Sequence, residues 1–337
     1  MRAMQLTEVG AIDHDDRLVP VELPLPEAGP GQVRIRVAVC GCCHTDLHEI
    51  EGEITLPRLP VVPGHQVVGV VDQLGAGVTS VAVGERVGAA WLHETCCSCR
   101  FCDGGHENLC RDARFTGLHV DGGYAEAMLA PAEFVYPLPA AFPDMQAAPL
   151  LCAGIIGYRA LRLCGIQPGQ RLGLYGFGAS AHVAIQIARH WGCHVYVFSR
   201  SRGHQALARK LGAVWVGQAG GDPPAPIDAA INFSPAGRLT RDALRIMERG
   251  GTVVLAGIFV DEVPELDYEE HLYYEKGVRS VTASTRRDGL ELLELAAEIP
   301  IRTHVTTWPL AEVNAALRAI KRSEVDGAAV IRVSADT

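Results

Sequence analysis

Four cysteines that lie close together are the residues of this chain whose type and spacing most clearly indicate chemistry. They form the pattern Cys96-x2-Cys99-x2-Cys102-x7-Cys110. Thiolates at this spacing on a folded-back loop can meet at the corners of a tetrahedron, each about 2.3 Å from a Zn²⁺ ion. Because four sulfur ligands leave no place for a substrate, the pattern predicts a structural zinc site.

If these four cysteines hold a structural zinc ion, cysteines elsewhere in the chain become candidates for a second metal site. Cys43 is followed by a histidine and Cys152 lies in an apolar turn, so both are candidates for a second metal site with an open position. We interpret the remaining thiols as buried or incidental: Cys40, Cys42, Cys97, Cys164 and Cys193.

A glycine-rich turn provides a candidate nucleotide site. The segment Gly176-Phe-Gly178-Ala-Ser-Ala181 follows an apolar strand pattern and opens a helical one. Gly176 permits the tight turn, Gly178 lets the backbone approach a pyrophosphate, and Ala181 keeps helix and strand close. The helix N-terminus adds N–H groups and partial positive charge. The alternative is a glycine turn that binds no ligand.

The end of the next predicted strand bears on cofactor choice. NAD-dependent enzymes usually place Asp or Glu there to accept hydrogen bonds from the ribose 2′-hydroxyl. This chain has Ser199, Arg200 and Arg202 instead. Hydroxyl and guanidinium groups favour a 2′-phosphate, so we expect NADP to be preferred over NAD. The alternative is that both arginines are solvated loop charges and NAD is used.

The elements that position these motifs fall into two regions. Residues 1 to about 150 have short apolar or alternating runs among Gly and Pro, which predicts an irregular, mostly β domain. From Ile155 to about Ala283, strand patterns alternate with helical ones, which predicts a parallel, doubly wound sheet. Its predicted strands include Arg171–Tyr175, His194–Phe198, Ala229–Phe233, Thr252–Ala256 and Val278–Thr282, with a helix at Thr240–Glu248. We expect the tail, with a helix at Ala311–Lys321 and a strand at Ala328–Val333, to return to the first domain.

Composition excludes several classes of partner. The 337 residues suffice for about two domains, and the net charge of −9 without a basic block argues against nucleic acid and anionic membranes. Residues 1–16 carry acids where a signal peptide needs an apolar stretch, and no apolar run approaches the roughly 20 residues of a membrane span. We therefore expect a cytoplasmic protein.

Three further motifs complete a family pattern: Cys40-Gly-Cys42-Cys43-His44-Thr45-Asp46-Leu47-His48, Pro63-Gly64-His65-Gln66-Val67-Val68-Gly69, and Leu150-Leu151-Cys152-Ala153-Gly154. Together with the cysteine loop and the glycine turn, they closely resemble the zinc-dependent medium-chain alcohol dehydrogenases over essentially the whole chain. The resemblance implies an α/β protein with a GroES-like, mostly β catalytic domain and a Rossmann doubly wound parallel-sheet domain. The domains would be 1–152, with 285–337 returning to it, and 153–284, with the active site in the cleft between them.

The resemblance also implies roles for individual residues. An open catalytic zinc would be held by Cys43, His65 and Cys152, giving two zinc ions per chain. Thr45 and His48 would relay the alcohol's proton to solvent. The remaining implied roles are an orienting contact from Asp46 to His65 and a pyrophosphate contact from His44.

Three positions depart from the family pattern or leave alternatives open. Gln66 stands where the family usually has a glutamate near the zinc. Near residues 327–330 the chain lacks an arginine that relatives aim at the pyrophosphate; either Arg286 replaces it or Arg286 is a salt-bridged surface residue. Trp91 resembles the tryptophan that narrows the pocket of relatives acting on small primary alcohols, or it belongs to the core.

The resulting hypothesis is a zinc-dependent, NAD(P)-dependent alcohol dehydrogenase or aldehyde reductase. Its substrates would be small to medium, mainly uncharged alcohols and aldehydes, and it would form a homotetramer or homodimer. Alternatives are a polyol or sugar dehydrogenase of the same superfamily, a non-catalytic nucleotide-binding protein on this scaffold, and a zinc-free quinone or enoyl reductase.

Overall fold

The structure is a computed structural model that describes residues 1–140, 142–299 and 301–334. It divides into two compact units. Unit 1 contains Met1–Cys152, Thr285–Ala297 and the described part of Thr303–Thr337, whereas unit 2 contains Ala153–Ser284 and Glu298–Arg302.

Strands and helices are numbered in chain order. The strands are β1 (Arg2–Leu6), β2 (Leu18–Glu22), β3 (Gln32–Cys42), β4 (Gln66–Leu74), β5 (Arg86–Ala89), β6 (Leu92–Glu94), β7 (Arg114–Phe115), β8 (Ala127–Pro131), β9 (Val135–Pro137), β10 (Arg171–Tyr175), β11 (His194–Phe198), β12 (Trp215–Gly217), β13 (Ile227–Asn232), β14 (Met247–Leu255), β15 (Gly277–Ser280), β16 (Val305–Pro309) and β17 (Ala328–Arg332). The α-helices are α1 (His44–Ile50), α2 (Arg100–Asp103), α3 (Asp144–Ala147), α4 (Ala153–Cys164), α5 (Ala179–His190), α6 (Arg202–Lys210), α7 (Arg238–Arg245), α8 (Tyr268–His271), α9 (Arg286–Glu298) and α10 (Val313–Lys321). Short 3₁₀ turns lie at Glu107–Leu109, Ala132–Phe134, Ala148–Leu151 and Leu310–Glu312.

Unit 1 is built on a mixed sheet in the order β16-β17-β3-β4-β5-β9, with β8 also pairing with β3. The long strand β3 is central because it pairs antiparallel with β4, β8 and β17. The strand and helix of the tail therefore belong to this sheet and its core, where Leu317 and Ile331 are fully buried beside Val33 and Val67. This sheet carries α1 and the loops that hold the candidate metal ligands.

Unit 2 contains a fully parallel sheet in the order β12-β11-β10-β13-β14-β15. Numbered within the sheet, this is the order 3-2-1-4-5-6 of dinucleotide-binding Rossmann folds, so the predicted fold class is confirmed. Its strands are almost continuously apolar because helices cover both faces of a parallel sheet. On one face the rings of Tyr175 and Phe198 stack with centroids 4.2 Å apart.

The predicted boundaries are wrong between α7 and β14. The helix predicted at Thr240–Glu248 ends at Arg245, and the strand predicted from Thr252 begins at Met247. The register with β13 shifts in this strand, and Gly250 adopts φ +74°. Glycine supplies this conformation inside an irregular strand, which hydrophobic periodicity does not reveal.

Within the described residues, no single helix is long and apolar enough to cross a membrane. Among the same residues, the bent pair Asp144–Leu151 and Ala153–Cys164 reaches that length and apolar composition when its two helices are taken together.

Candidate metal centres and nucleotide-binding loop

The first candidate ligand, Cys43, is positioned by the junction of β3 and α1. Cys43 is the N-cap of α1, where its Sγ accepts a hydrogen bond from the Thr45 N–H at 3.4 Å. Its own N–H donates to Asp46 Oδ2 at 2.8 Å, which completes a capping box. The short helix thus fixes the thiol, Thr45 and Asp46 in one turn.

His65 and Cys152 come to the same place from distant parts of the chain. His65 precedes β4, and the preceding Gly64 adopts φ +96° with its Cα so close to the Tyr124 ring that a Cβ would lie 2.7 Å from it. Cys152 ends the 3₁₀ turn Ala148–Leu151. The sequence motif therefore needs glycine at position 64 to turn His65 into the site.

The three ligand atoms have the separations of a tetrahedral metal site. Cys43 Sγ lies 3.5 Å from His65 Nε2 and 4.0 Å from Cys152 Sγ, and all three ligand atoms lie within 4.8 Å of one another. Zinc at tetrahedral bond lengths separates two such ligands by about 3.5 to 3.8 Å. Two thiols and one imidazole, with no fourth ligand among the described residues, fit an open zinc site.

The carboxylate of Asp46 lies next to His65 at Nδ1, the ring nitrogen that does not face the cysteines. Asp46 Oδ1 lies 3.3 Å from His65 Nδ1, and both side chains are fully buried. Burial lowers the pKa of His65, but the negative charges of Asp46 and Cys43 outweigh this and raise the pKa well above its ordinary value. The carboxylate also fixes the ring so that Nε2 faces the cysteines, as in other carboxylate–histidine–metal arrangements.

The predicted relay residues lie on α1 next to the ligands, and the structure adds a third residue. Thr45 is buried, and His48 follows it by three positions. His48 Nδ1 forms a hydrogen bond with Glu53 Oε2. Sequence reasoning missed Glu53, although an acid just beyond the Gly52 turn after a histidine-containing helix is a usable signal. His44 is exposed, with its ring 6.4 Å from that of His48.

Trp91 lies beside the open cluster. Its indole centroid is 6.3 Å from the His65 ring and 4.2 Å from Phe115, with which it stacks. The structure thus brings the predicted pocket residue to the ligands and adds Phe115, which sequence reasoning did not single out.

A further buried acid, Glu49, also faces this region from α1. Burial, reinforced by the charge of Asp46, raises the pKa of the Glu49 carboxyl to about 8, and His65 and the Trp91 indole offset this only in part. Gln66, at the position that departs from the family pattern, is buried and carries no charge. Asp46 and Glu49 are therefore two buried acids on the helix that begins at Cys43.

The four-cysteine loop also brings its sulfur atoms together. The Sγ separations are 3.9 Å for Cys96–Cys102, 3.6 Å for Cys99–Cys102 and 3.5 Å for Cys110–Cys96, and all four lie within 4.8 Å of one another. Hydrogen bonds from the Ser98 backbone, then from Cys110, lower the pKa of the Cys96 thiol to about 6. Four converging thiols, one of them readily ionised, fit a closed zinc site.

Arg286 is held within unit 1 by acids. Its Nε and its backbone N–H both donate to Glu107 Oε1, and Nη1 lies 3.6 Å from Glu133 Oε2. The guanidinium also lies 4.6 Å from the Phe134 ring centroid. These contacts favour the structural alternative for Arg286 over a pyrophosphate contact.

The glycine turn in unit 2 has the conformation of a phosphate-binding loop. Gly176 adopts φ +82°, Gly178 is the N-cap of α5, and Ala181 is fully buried. Apart from its two chain neighbours, no atom of the described residues lies within 4 Å of a Cβ built at Gly178. The fold therefore does not need glycine there, whereas a ligand approaching the N-terminus of α5 would, and the loop fits a dinucleotide.

Hydrogen bonds to backbone atoms fix the residues that follow β11. The Ser199 N–H donates to Gly217 O at 2.9 Å, and Gln205 Nε2 donates to Ser199 O at 2.6 Å. Ser201 caps α6 through the His204 N–H. The side chains of Arg200 and Arg202 are exposed.

Comparison with known proteins identifies the family. The family models described as "Alcohol dehydrogenase GroES-like domain" and "Zinc-binding dehydrogenase" match residues 29–140 and 181–298. A probable alcohol dehydrogenase, AdhA, from Mycobacterium tuberculosis is 42% identical, covering 99% of this chain and 97% of its own length. The chain belongs to the medium-chain alcohol dehydrogenase family. It is therefore an oxidoreductase, and the polyol dehydrogenase and non-catalytic alternatives are not favoured.

Solved structures agree with this assignment. A cinnamyl alcohol dehydrogenase from Sorghum bicolor has a TM-score of 0.89 at 30% identity, covering 98% of this chain and 97% of that chain. A thermostable alcohol dehydrogenase from Pyrobaculum aerophilum, with cobalt and zinc bound, has a TM-score of 0.89 at 28% identity and covers 99% of both chains.

Proposed function

We propose that this protein is a zinc-dependent, NAD(P)-dependent alcohol dehydrogenase or aldehyde reductase with two zinc ions per chain. The observation that carries the proposal is the convergence of Cys43, His65 and Cys152 at separations of metal ligands, with no fourth ligand in the part of the chain that the structure describes. Cys96, Cys99, Cys102 and Cys110 would hold the second ion in a structural role.

Each proposed cofactor has a defined contribution. Cys43, His65 and Cys152 would hold a zinc ion, which would supply Lewis acidity toward a substrate oxygen. Gly176 and Gly178 would hold the pyrophosphate of a dinucleotide, whose nicotinamide would supply the hydride chemistry. The protein contributes binding, orientation and the movement of the hydroxyl proton.

The proton is proposed to move along α1. Thr45, whose backbone N–H donates to Cys43 Sγ, accepts the proton of the alcohol at its hydroxyl and passes it to His48. Glu53 engages His48 Nδ1, so the proposed relay uses Nε2 as the nitrogen that takes up the proton. Since the Glu53 side chain is 46% exposed, the relay ends at solvent.

We further propose that NADP is preferred. The acid that would bind the ribose 2′-hydroxyl of NAD is replaced by Ser199, and the exposed Arg200 and Arg202 follow it. Guanidinium groups bind phosphate through charge-assisted, often bidentate hydrogen bonds.

The proposed substrates are small to medium, uncharged alcohols and aldehydes. The aromatic side chain of Trp91 lies beside the cluster and stacks on Phe115, and the buried groups on α1 are the acid Asp46 and the carboxyl of Glu49, whose pKa burial raises to about 8. Such surroundings favour a neutral, partly apolar substrate over an anion.

We also propose that the chain self-associates through β15, forming a homodimer or homotetramer. β15 is an edge strand of the unit 2 sheet, and Val278 on it is 38% exposed. Large apolar side chains nearby in sequence are exposed as well: Ile258, Phe259, Tyr273 and Tyr274. An exposed apolar edge strand is a ready site for pairing with a second copy.

A cytoplasmic location is proposed because the cysteines are thiols. All eleven, which lie within the described residues, are free, and the proposed sites need seven of them reduced. Reduced thiols persist in the cytosol rather than in oxidising compartments.

The function is tested with a panel of linear, branched and aromatic alcohols and aldehydes, assayed by nicotinamide absorbance with NADP and with NAD. We expect turnover of uncharged members, and we expect Thr45→Ala to lose most of it while still binding the dinucleotide. Dinucleotide binding without turnover of any member would contradict the proposal and favour a non-catalytic role.

A further inference from the structure

We propose that Phe115 is a specificity-determining residue that acts through Trp91. Phe115 holds the indole as a fixed wall beside the Cys43–His65–Cys152 cluster and thereby limits the size of alcohol that the enzyme accepts. The inference rests on the proposed function, because it concerns the substrate of that site.

The local fold brings the two rings together. Strands β6 and β7 form an antiparallel pair in which Leu92 is opposite Phe115, and Trp91 immediately precedes β6. The rings of Trp91 and Phe115 stack with centroids 4.2 Å apart and planes inclined by 22°. Stacked aromatic side chains stabilise one another beyond the apolar area that they bury.

The backbone of Trp91 is held by hydrogen bonds, and its ring packs against Phe115. The Thr116 N–H donates to Trp91 O at 2.8 Å, and Thr116 Oγ1 donates to Ala90 O at 2.9 Å. The indole lies close to the buried Glu49 carboxyl and offsets part of the rise in its pKa that burial causes, but within the described residues Nε1 makes no hydrogen bond of ordinary geometry. Packing therefore contributes most to the orientation of the indole, and Phe115 supplies its stacking partner.

Phe115 is itself fixed by a tight turn. Its N–H donates to His119 Nδ1 at 3.3 Å, and its carbonyl accepts the His119 N–H at 2.9 Å. The His119 ring lies 5.6 Å from that of Phe115, on a turn in which Gly117 adopts φ +82°. Trp91, Phe115 and His119 form a row of rings with one end at the metal cluster.

Because the indole lies next to the metal cluster, the row of rings affects which substrates fit the site. The Trp91 centroid lies 6.3 Å from the His65 ring, so a change in its orientation alters the space beside the open position. A pocket that differs by one methylene group discriminates substrates by roughly 10- to 200-fold. A fixed indole should exclude bulky alcohols to that extent.

The kinetic test compares a benzylic or branched secondary alcohol with a small linear one in zinc-loaded enzyme. We expect Phe115→Ala to raise the ratio of their kcat/KM values in favour of the bulky substrate by about tenfold or more. Phe115→Tyr, which keeps the ring, should leave the ratio within about twofold. Trp91→Ala should shift the ratio in the same direction, and adding Phe115→Ala to it should give no further shift, because Phe115 acts through Trp91.

A second readout does not depend on turnover. The Trp91 indole N–H signal in a ¹H–¹⁵N spectrum, assigned by its loss in Trp91→Phe, should move in Phe115→Ala and stay in place in Phe115→Tyr. An unchanged signal in Phe115→Ala overturns the inference even if that variant is inactive. A full shift of selectivity by Phe115→Ala in the Trp91→Ala background also overturns it. Neither result affects the proposed function, which fails only if the wild-type protein turns over no alcohol or aldehyde.

Discussion

At the scale of single residues, we expect the side chain of Arg200 to determine whether the enzyme prefers NADP or NAD. It follows Ser199 at the end of β11, and its side chain is exposed. A carboxylate there would repel a ribose 2′-phosphate and accept hydrogen bonds from a 2′-hydroxyl.

We therefore expect Arg200→Asp to reverse the preference of the enzyme from NADP to NAD. The ratio of kcat/KM for the two cofactors, measured with one alcohol, should change by about tenfold or more, since charge-assisted phosphate contacts are each worth roughly 1.5 to 3 kcal/mol. Arg209→Asp, an equally exposed arginine at the other end of α6, is the matched control. Equal use of both cofactors before and after the change would refute the role of Arg200.

Among individual residues, the sequence allowed us to predict those that belong to a motif or to a regularly spaced set. Cys43, His65 and Cys152 are far apart in the chain, yet their motifs sufficed to group them, and the structure brings them together. Glu53 and Phe115 belong to no such motif, and their roles depend on contacts formed only when the chain folds.

At the scale of secondary-structure elements, the loop between β10 and α5 contains two glycines that are needed for different reasons. Gly176 adopts φ +82°, which the backbone needs, whereas Gly178 has φ −97° and open space where a Cβ would stand. The sequence motif places both glycines in the turn between a strand and a helix, but it does not show which one the fold itself requires.

Substituting each glycine should give opposite results. Gly178→Ala should leave the melting temperature nearly unchanged and weaken dinucleotide binding by about tenfold or more, because the methyl group takes the space of the pyrophosphate. Gly176→Ala should destabilise the fold by about 1 to 2 kcal/mol, the cost of a left-handed conformation for a residue with a Cβ. Thermal denaturation and calorimetric titration separate the two effects. Wild-type binding affinity in Gly178→Ala would contradict the phosphate-loop assignment.

Element boundaries were predicted less well than element types. The helix α7 and the strand β14 exist as expected, but Gly250 and Gly251 lie inside β14 rather than before it. The irregular pairing with β13 that admits them is a tertiary feature, so no local pattern could indicate it.

For the whole molecule, alternation of apolar strands and helices correctly predicted the parallel sheet of unit 2. The mixed sheet of unit 1 was predicted only as irregular and mostly β. Its order depends on the pairing of β17 with β3, which are separated by most of the chain. The hydrophobic pattern of a strand does not show which distant strand it pairs with, so the strand order of this sheet could not be predicted.

Self-association is the prediction that belongs to this scale. Light scattering after gel filtration should show a dimer or tetramer, and Val278→Lys on β15 should weaken it by placing a charge on the apolar edge. Val214→Lys, at an exposed valine beside the opposite edge strand β12, should leave the assembly intact. A monomeric wild-type protein, or equal effects of the two variants, would contradict the proposed role of β15.

The metal content of purified protein, measured together with turnover, tests the central claim most directly. We predict about two zinc ions per chain in the wild type, and about one in Cys152→Ser with loss of alcohol oxidation, because the four-cysteine loop keeps its ion. Cys152→Ser with two ions and full turnover would show that Cys43, His65 and Cys152 are not the catalytic metal site.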